Sequence, residues 1–316
     1  MIPLTLYWNH ICVLHRQEKA FLEFCAEQLL AEGIQLSVRY FGLGYPMHLS
    51  DYLAKPDAIL PDLIVSADME VFEDPRIACK FSEKLYPIAD WIPLRDSAAL
   101  RAVWKNRALL PFVSIPLVYF TADSAAETDA TLPDLIFAKG ARFSFGGIRN
   151  SAGKCLVKAV WNHYGKDAAS QLLQRSLVTD MPIGAFQAVR TGQAQTALVP
   201  SLYALRADGS KFFLKRPMEG PLLVSSYVCA RQSAPQQAVK QVLSRLLSTE
   251  LCGFYAKNGD LIVHPARTKS RSSQEADTYF VPDRSFLLQL APREFYELYE
   301  RFLPLSRSTL SSRQEA

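Results

Sequence analysis

Ser144-Phe-Gly-Gly-Ile-Arg-Asn-Ser-Ala-Gly-Lys-Cys155 places two glycines and the cap residues Asn150 and Ser151 directly before a long helical pattern. Cys155, Leu156, Ala159, Val160 and Tyr164 recur at the spacing of one buried helical face, and Gly165 supplies a stop. The first turn of such a helix carries unpaired N–H groups and about half a positive charge, which favours a carboxylate, phosphate or sulfate in front of it. A nucleotide phosphate loop is excluded on spacing, because it requires Gly-x-x-x-x-Gly-Lys followed by Ser or Thr. Here five residues separate Gly147 from Gly153, and Cys155 stands where the hydroxyl belongs. A capped helix that binds nothing also fits this turn, so the rest of the chain has to decide.

Working outward, Arg142 to Phe145 reads as the strand feeding that helix, and the sequence on both sides alternates strands with helices. Upstream, the pattern predicts a strand over Leu4–Trp8 and a helix over His15–Leu30 with Ala20, Phe21, Phe24, Cys25, Leu29 and Leu30 inside. Strands at Ile34–Phe41 and Leu63–Ser66 follow, then Val113–Phe120, interrupted by Pro116, and a polar loop over Ala122–Thr131. Downstream, helices are expected at Gln171–Leu177 and Ile183–Arg190, a short strand at Thr196–Pro200 and a long apolar strand at Gly220–Cys229. Further helices are expected over Pro235–Leu247, Glu250–Lys257 and Phe286–Leu303. Strand, helix and strand in succession predict crossover connections and an α/β fold with mostly parallel sheets flanked by helices. The order of elements gives two α/β units, one embedded in the other: residues 1–115 with 222–316, and residues 116–221. Polar, Ser-rich 267–278 is expected to be a mobile loop and 306–316 a disordered tail.

The chain has 316 residues, enough for two medium domains, and its 49% apolar and 21% charged composition is that of an ordinary globular protein. A net charge of +4, with lysines and arginines spread along the chain, argues against a nucleic-acid partner. Six cysteines lie far apart with no Cys-x-x-Cys pair, which points to reduced thiols, with Cys25 and Cys155 buried on helix faces. Met1-Ile-Pro-Leu-Thr-Leu-Tyr7 reads as the start of a strand and not as a signal peptide, so thiols and N-terminus together favour a cytoplasmic setting. No apolar run is long enough to span a bilayer.

Several local patterns give the chain a family resemblance. Leu6-Tyr-Trp-Asn-His10 precedes a helix; Pro61-Asp-Leu-Ile-Val-Ser-Ala-Asp68 ends a strand; and Asn150-Ser-Ala-Gly153 starts a helix. Gly192 to Val199, Gly220 to Tyr227, Ala234 to Leu243 and Leu247 to Glu250 then follow in order. In this order and spacing, over residues 4 to 265, the chain resembles the extracellular solute-binding proteins of ABC transporters, family 1. That family has the type II periplasmic-binding-protein fold, and the likeness is to its ferric-iron and small-anion branch. The resemblance implies a two-lobed fold that clamps one small ligand by hinge closure, without a cofactor. It also implies a permease partner, a monomer, and a periplasmic or cell-surface location if a leader was removed. Location therefore stays open between this and the cytoplasmic reading.

The expected ligand is a small anion. Asn9, His10, Ser66, Ala67 and Asp68 would form one wall of its site, and Asn150, Ser151, Ala152, Gly153, Ser201 and Tyr203 the other. Asn9, Ser66, Asn150 and Ser151 all follow predicted strands, where ligands collect in open α/β sheets. Arg149 and Lys154 add positive charge beside the helix start, and Tyr119 and Tyr227 are candidates for lining the site or for core packing. In the ferric branch a first-loop His, a carboxylate and two adjacent tyrosines hold the metal. His10 matches in position, but Val199-Pro-Ser-Leu-Tyr203 offers only Tyr203. His10, Cys12 and His15 form an alternative thiol–imidazole set suited to zinc or copper. No nucleophile–base motif such as Gly-x-Ser-x-Gly or His-Glu-x-x-His is present, so no enzymatic activity is expected. A cytoplasmic sensor or a catalytic member of the same fold remains the alternative of a different class.

Overall fold

The computed structural model describes residues 1–9, 14–42, 45–94, 96–122, 131–137, 142–147, 151–204, 207–215, 218–263 and 276–302. The first part of the chain runs β1 (Ile2–Asn9), α1 (His15–Ala31), β2 (Ile34–Tyr40), α2 (Leu49–Ala54), β3 (Leu63–Ser66), α3 (Glu70–Glu73), α4 (Pro75–Ala78) and α5 (Ala98–Val103). It continues through β4 (Leu110–Thr121), α6 (Leu132–Phe137), β5 (Phe143–Gly146), α7 (Ser151–Tyr164), α8 (Lys166–Arg175), β6 (Leu177–Thr179) and α9 (Pro182–Arg190). The remainder is β7 (Thr196–Pro200), α10 (Ser201–Ala204), β8 (Phe213–Lys215), β9 (Leu222–Ala230), α11 (Gln236–Leu246), α12 (Thr249–Lys257), α13 (Arg284–Gln289) and α14 (Pro292–Phe302).

The chain divides into two compact units, residues 1–115 with 224–275 and residues 116–223 with 276–316. In unit 1 the strand order is β2-β1-β3-β9-β4, with β1 parallel to β2 and β3, and β9 antiparallel to β3. In unit 2 it is β4-β7-β5-β6, with β5 parallel to both neighbours, β7 antiparallel to β4, and β8 paired on β4. β3, β5 and β9 are buried on both faces, which is why their sequences read as continuous apolar runs and not as alternation. The α/β class and the mixed sheets match the expectation from sequence.

Four expectations are corrected. Residues 276–302 belong to unit 2 and not to the unit that contains the N-terminus. Phe280 N–H donates to the Pro221 carbonyl at 3.1 Å, Asn162 donates to Asp283 at 3.0 Å, and Lys166 pairs with Glu294 at 2.7 Å. Phe295, Leu298 and Tyr299 of α14 are buried there, so burying an apolar face decides the placement.

Second, the inner face of α1 is Glu18, Leu22, Cys25 and Leu29, whereas Phe24 and Leu30 are exposed and Ala20 and Phe21 lie outside the buried stripe. The apolar residues of this helix are wider than one face, and a buried glutamate holds a place that periodicity assigns to a hydrophobe. Third, Leu177 lies in β6 and not in a helix, and the expected helix over 286–303 is broken, with Pro292 opening α14 because proline tolerates only a first helical turn. Fourth, Tyr164 ends α7 partly exposed and donates to Glu219, while Cys155, Leu156, Ala159 and Val160 are buried as expected.

Cys25 and Cys155 are buried free thiols, as the reading of the sequence expects. Positions 267–275 and 306–316 lie outside the described residues, as does most of the loop expected at 122–131. Among the described residues no helix is long and apolar enough to cross a membrane.

Candidate functional site

In unit 1, parallel pairing of β1 with β2 and β3 brings the carboxyl ends of three strands to one sheet edge. Asn9 stands opposite Ser66, and the Ala67 N–H donates to the Asn9 carbonyl at 2.9 Å. Both side chains are short and polar, and both are buried, Asn9 at 8% exposure and Ser66 at none. The Ser66 hydroxyl accepts the Asp68 N–H at 3.0 Å. Asp68 in turn accepts the Ser50 hydroxyl at 2.6 Å and the Glu70 N–H at 3.2 Å, so each of its carboxylate oxygens is engaged in shaping the turn before α3. Asn9, Ser66, Ala67 and Asp68 are therefore brought together; His10, with Cys12 of the alternative metal set, lies outside the described residues.

In unit 2, β5 and β7 are parallel, so Gly147 after β5 and Ser201 after β7 leave the sheet on the same edge. Ser151 opens α7 and is nearly buried, and no acidic residue occupies the first turn of that helix. A Cβ on Gly153 would stand 2.9 Å from the Gly147 carbonyl oxygen and 2.9 Å from the Tyr299 hydroxyl. The glycine is thus what lets the strand exit and α14 close on the first turn of α7. Tyr299 was not anticipated from sequence; its only signal is the aromatic spacing Phe295, Tyr296, Tyr299 along one helix. Lys154 lies over the Tyr296 ring at 5.5 Å and Lys158 over Phe295 at 5.0 Å, so α14 also covers the basic flank of α7.

Ser201 starts α10 at 9% exposure, and Tyr203 packs its ring 5.2 Å from Phe186 inside an apolar cluster with Phe120, Val189 and Val199. Tyr119 and Tyr227 are core residues, the latter donating to the Val103 carbonyl at 2.6 Å. Asn150 and Arg149 lie outside the described residues. Among the described residues no group of three or more His, Cys, Asp or Glu side chains is placed to hold a metal ion.

Gly153→Ala gains helix propensity of about 1 kcal/mol but forces a methyl group against a carbonyl and a hydroxyl, and a net loss of about 1–2 kcal/mol is expected. Removing the hydroxyl with Tyr299→Phe should recover part of that loss. A double-mutant cycle in thermal or denaturant unfolding checks it, with a coupling of about 0.5–1 kcal/mol expected and strict additivity the contrary result.

No protein-family model matches the chain, and no curated protein sequence matches it. Among solved structures, it is similar to iron-bound HitA from Pseudomonas aeruginosa, with 18% identity over 96% of this chain and 99% of that one, and a TM-score of 0.69. It is also similar to the ferric binding protein from Campylobacter jejuni, with 15% identity, 95% and 99% coverage and a TM-score of 0.64. A periplasmic thiamin binding protein superposes with 16% identity, 95% and 96% coverage and a TM-score of 0.64. Strand order, two-unit division and near-complete mutual coverage together establish that this chain has the type II periplasmic-binding-protein fold.

Proposed function

We propose that this protein is a solute-binding protein that clamps a small ligand, without chemical change, using the strand-end residues of both units. The observation that carries the reading is the fold: over nearly its whole length the chain shares it with iron-bound HitA, a ferric binding protein and a periplasmic thiamin binding protein. An anion is the ligand class favoured by the residues. The fourteen-residue α7 begins just beyond a parallel strand end, has a serine at its start, and carries no acidic residue in its first turn. About half a positive charge sits at such a terminus. Asn9, His10, Ser66 and Ala67 with Asn150, Ser151, Ala152, Gly153 and Ser201 are the proposed contacts, and Asp68 and Tyr203 support them from the turn and the core.

Direct capture of ferric iron is the weaker reading. Hard Fe(III) favours several anionic oxygen ligands, and the sequence offers one tyrosine where the ferric branch has two. That tyrosine's ring is packed in an apolar cluster. Delivery to a membrane permease and a monomeric state belong to the same proposal.

The test is a thermal-shift series with phosphate, sulfate, carbonate, small dicarboxylates, a polyamine and Fe(III). A ligand bound at about a hundred times its Kd adds about 2.7 kcal/mol of stability, a shift well above noise. Stabilisation by one or more oxyanions or carboxylates supports the reading. Stabilisation by Fe(III) or the polyamine alone would replace the anion, and turnover of a candidate substrate would replace the binding role.

A further inference from the structure

The interior of unit 1 contains an acidic pair that the proposed ligand site does not use. Glu18, in the first turn of α1, is only 2% exposed. One of its carboxyl oxygens accepts the indole N–H of Trp8 in β1 at 3.2 Å, and the other accepts the Tyr255 hydroxyl of α12 at 2.8 Å. Phe112 of β4 stands edge-on to both rings, 5.8 Å from Trp8 and 5.8 Å from Tyr255, so the two donors to Glu18 are packed on one apolar ring. Asp260 follows α12, is 3% exposed, and has an oxygen, Oδ2, with no hydrogen-bond partner among the described residues.

We propose that Asp260 stores a proton inside unit 1, and that losing it as the medium turns alkaline opens the Trp8–Glu18–Tyr255 latch joining β1, α1 and α12. An ionised carboxyl in that position would be a buried charge without a partner, whereas a protonated one pays only the smaller cost of a buried neutral polar group. Burial pushes the Asp260 carboxyl well above the ordinary carboxylate range, and repulsion from Glu18 pushes it further the same way. Burial likewise raises the Tyr255 hydroxyl, followed by Glu18, Asp260 and Cys252, which keeps it protonated as a donor to Glu18 at neutral pH. Because the folded-state value lies above the unfolded one, the stabilisation is complete below the unfolded carboxyl range. It is lost as pH rises through the folded value. Trp8 directly precedes Asn9, so the latch also fixes the strand end that presents Asn9, although the proton store does not depend on what the protein binds.

The experiment compares the thermal midpoints of the wild type and Asp260→Asn from mildly acidic through neutral to alkaline pH. It is paired with infrared detection of a protonated carboxyl in the native wild type at neutral pH. The midpoint of the wild type should fall with rising pH more steeply than that of Asp260→Asn, and the protonated-carboxyl band should be present in the wild type and missing from the variant. Parallel pH profiles would overturn the proposal. Should Asp260→Asn fail to fold, the wild-type band decides alone: its absence at neutral pH contradicts a stored proton, and its loss on raising the pH, in step with the falling midpoint, supports one.

Discussion

Gly220→Ala is expected to lower stability by about 3 kcal/mol, through backbone strain and overlap acting together. Gly220 has φ +83, a region that L side chains rarely adopt, and a Cβ there would run into the Thr278 carbonyl, which is backbone and has no rotamer to yield. Next to it, the Phe280 N–H donates to the Pro221 carbonyl, and Leu222 bridges Phe280 in parallel. The glycine is the point at which the returning chain enters unit 2 beside the start of β9. Gly209→Ala is the internal control, since its φ is +69 but nothing lies within 4 Å of the added methyl. That change carries the strain alone, about 1 kcal/mol. Denaturant unfolding of the two variants measures the difference. Equal losses would mean that 276–280 does not pack on Gly220, and would reopen the assignment of the C-terminal helices to unit 2.

Ser151→Asp is expected to weaken binding of a small anion by about a hundredfold or more, since a like charge placed against a bound anion costs several kcal/mol. The same change should leave the fold nearly as stable as before. A negative charge in the first turn of a helix is favoured by about 0.3–1 kcal/mol, which offsets part of the cost of placing it at a buried position. Ser151→Ala is the opposite case, removing the hydroxyl without adding charge, with a smaller effect on affinity. Titration calorimetry and thermal unfolding on both variants separate the two roles. A helix start that is only structural would give the reverse ranking, with Ser151→Asp binding as the wild type does.

The parts of the fold that could be read from sequence are those where one periodicity dominates. β1, β3, β5 and β9 announce themselves as apolar runs, and α7 as a capped amphipathic helix closed by Gly165. The register that sets Asn9 opposite Ser66 follows once the strands are parallel, because parallel strands end on one edge. The three-residue strands β6 and β8 were not legible, since too few residues alternate to leave a pattern. Nor was the side of the molecule to which α13 and α14 return, which is fixed by contacts more than a hundred residues away in sequence, such as Asn162 with Asp283. Glu18 and Asp260 were invisible for a different reason. A lone acidic residue reads as solvated, and the burial of Glu18 becomes intelligible only with the donors Trp8 and Tyr255 in place. Asp68 was anticipated in position but not in its hydrogen bonds to Ser50 and Glu70.

The most direct test of the central claim is amide hydrogen exchange with and without a stabilising oxyanion or carboxylate. It is read at the peptides containing Asn9, Ser66–Asp68 and Ser151–Gly153. One ligand is expected to slow exchange at the strand ends of unit 1 and at the start of α7 in the same titration, with a common midpoint. A stabilising ligand that leaves the amides of 151–153 unchanged, or protects only residues remote from these strand ends, would contradict it.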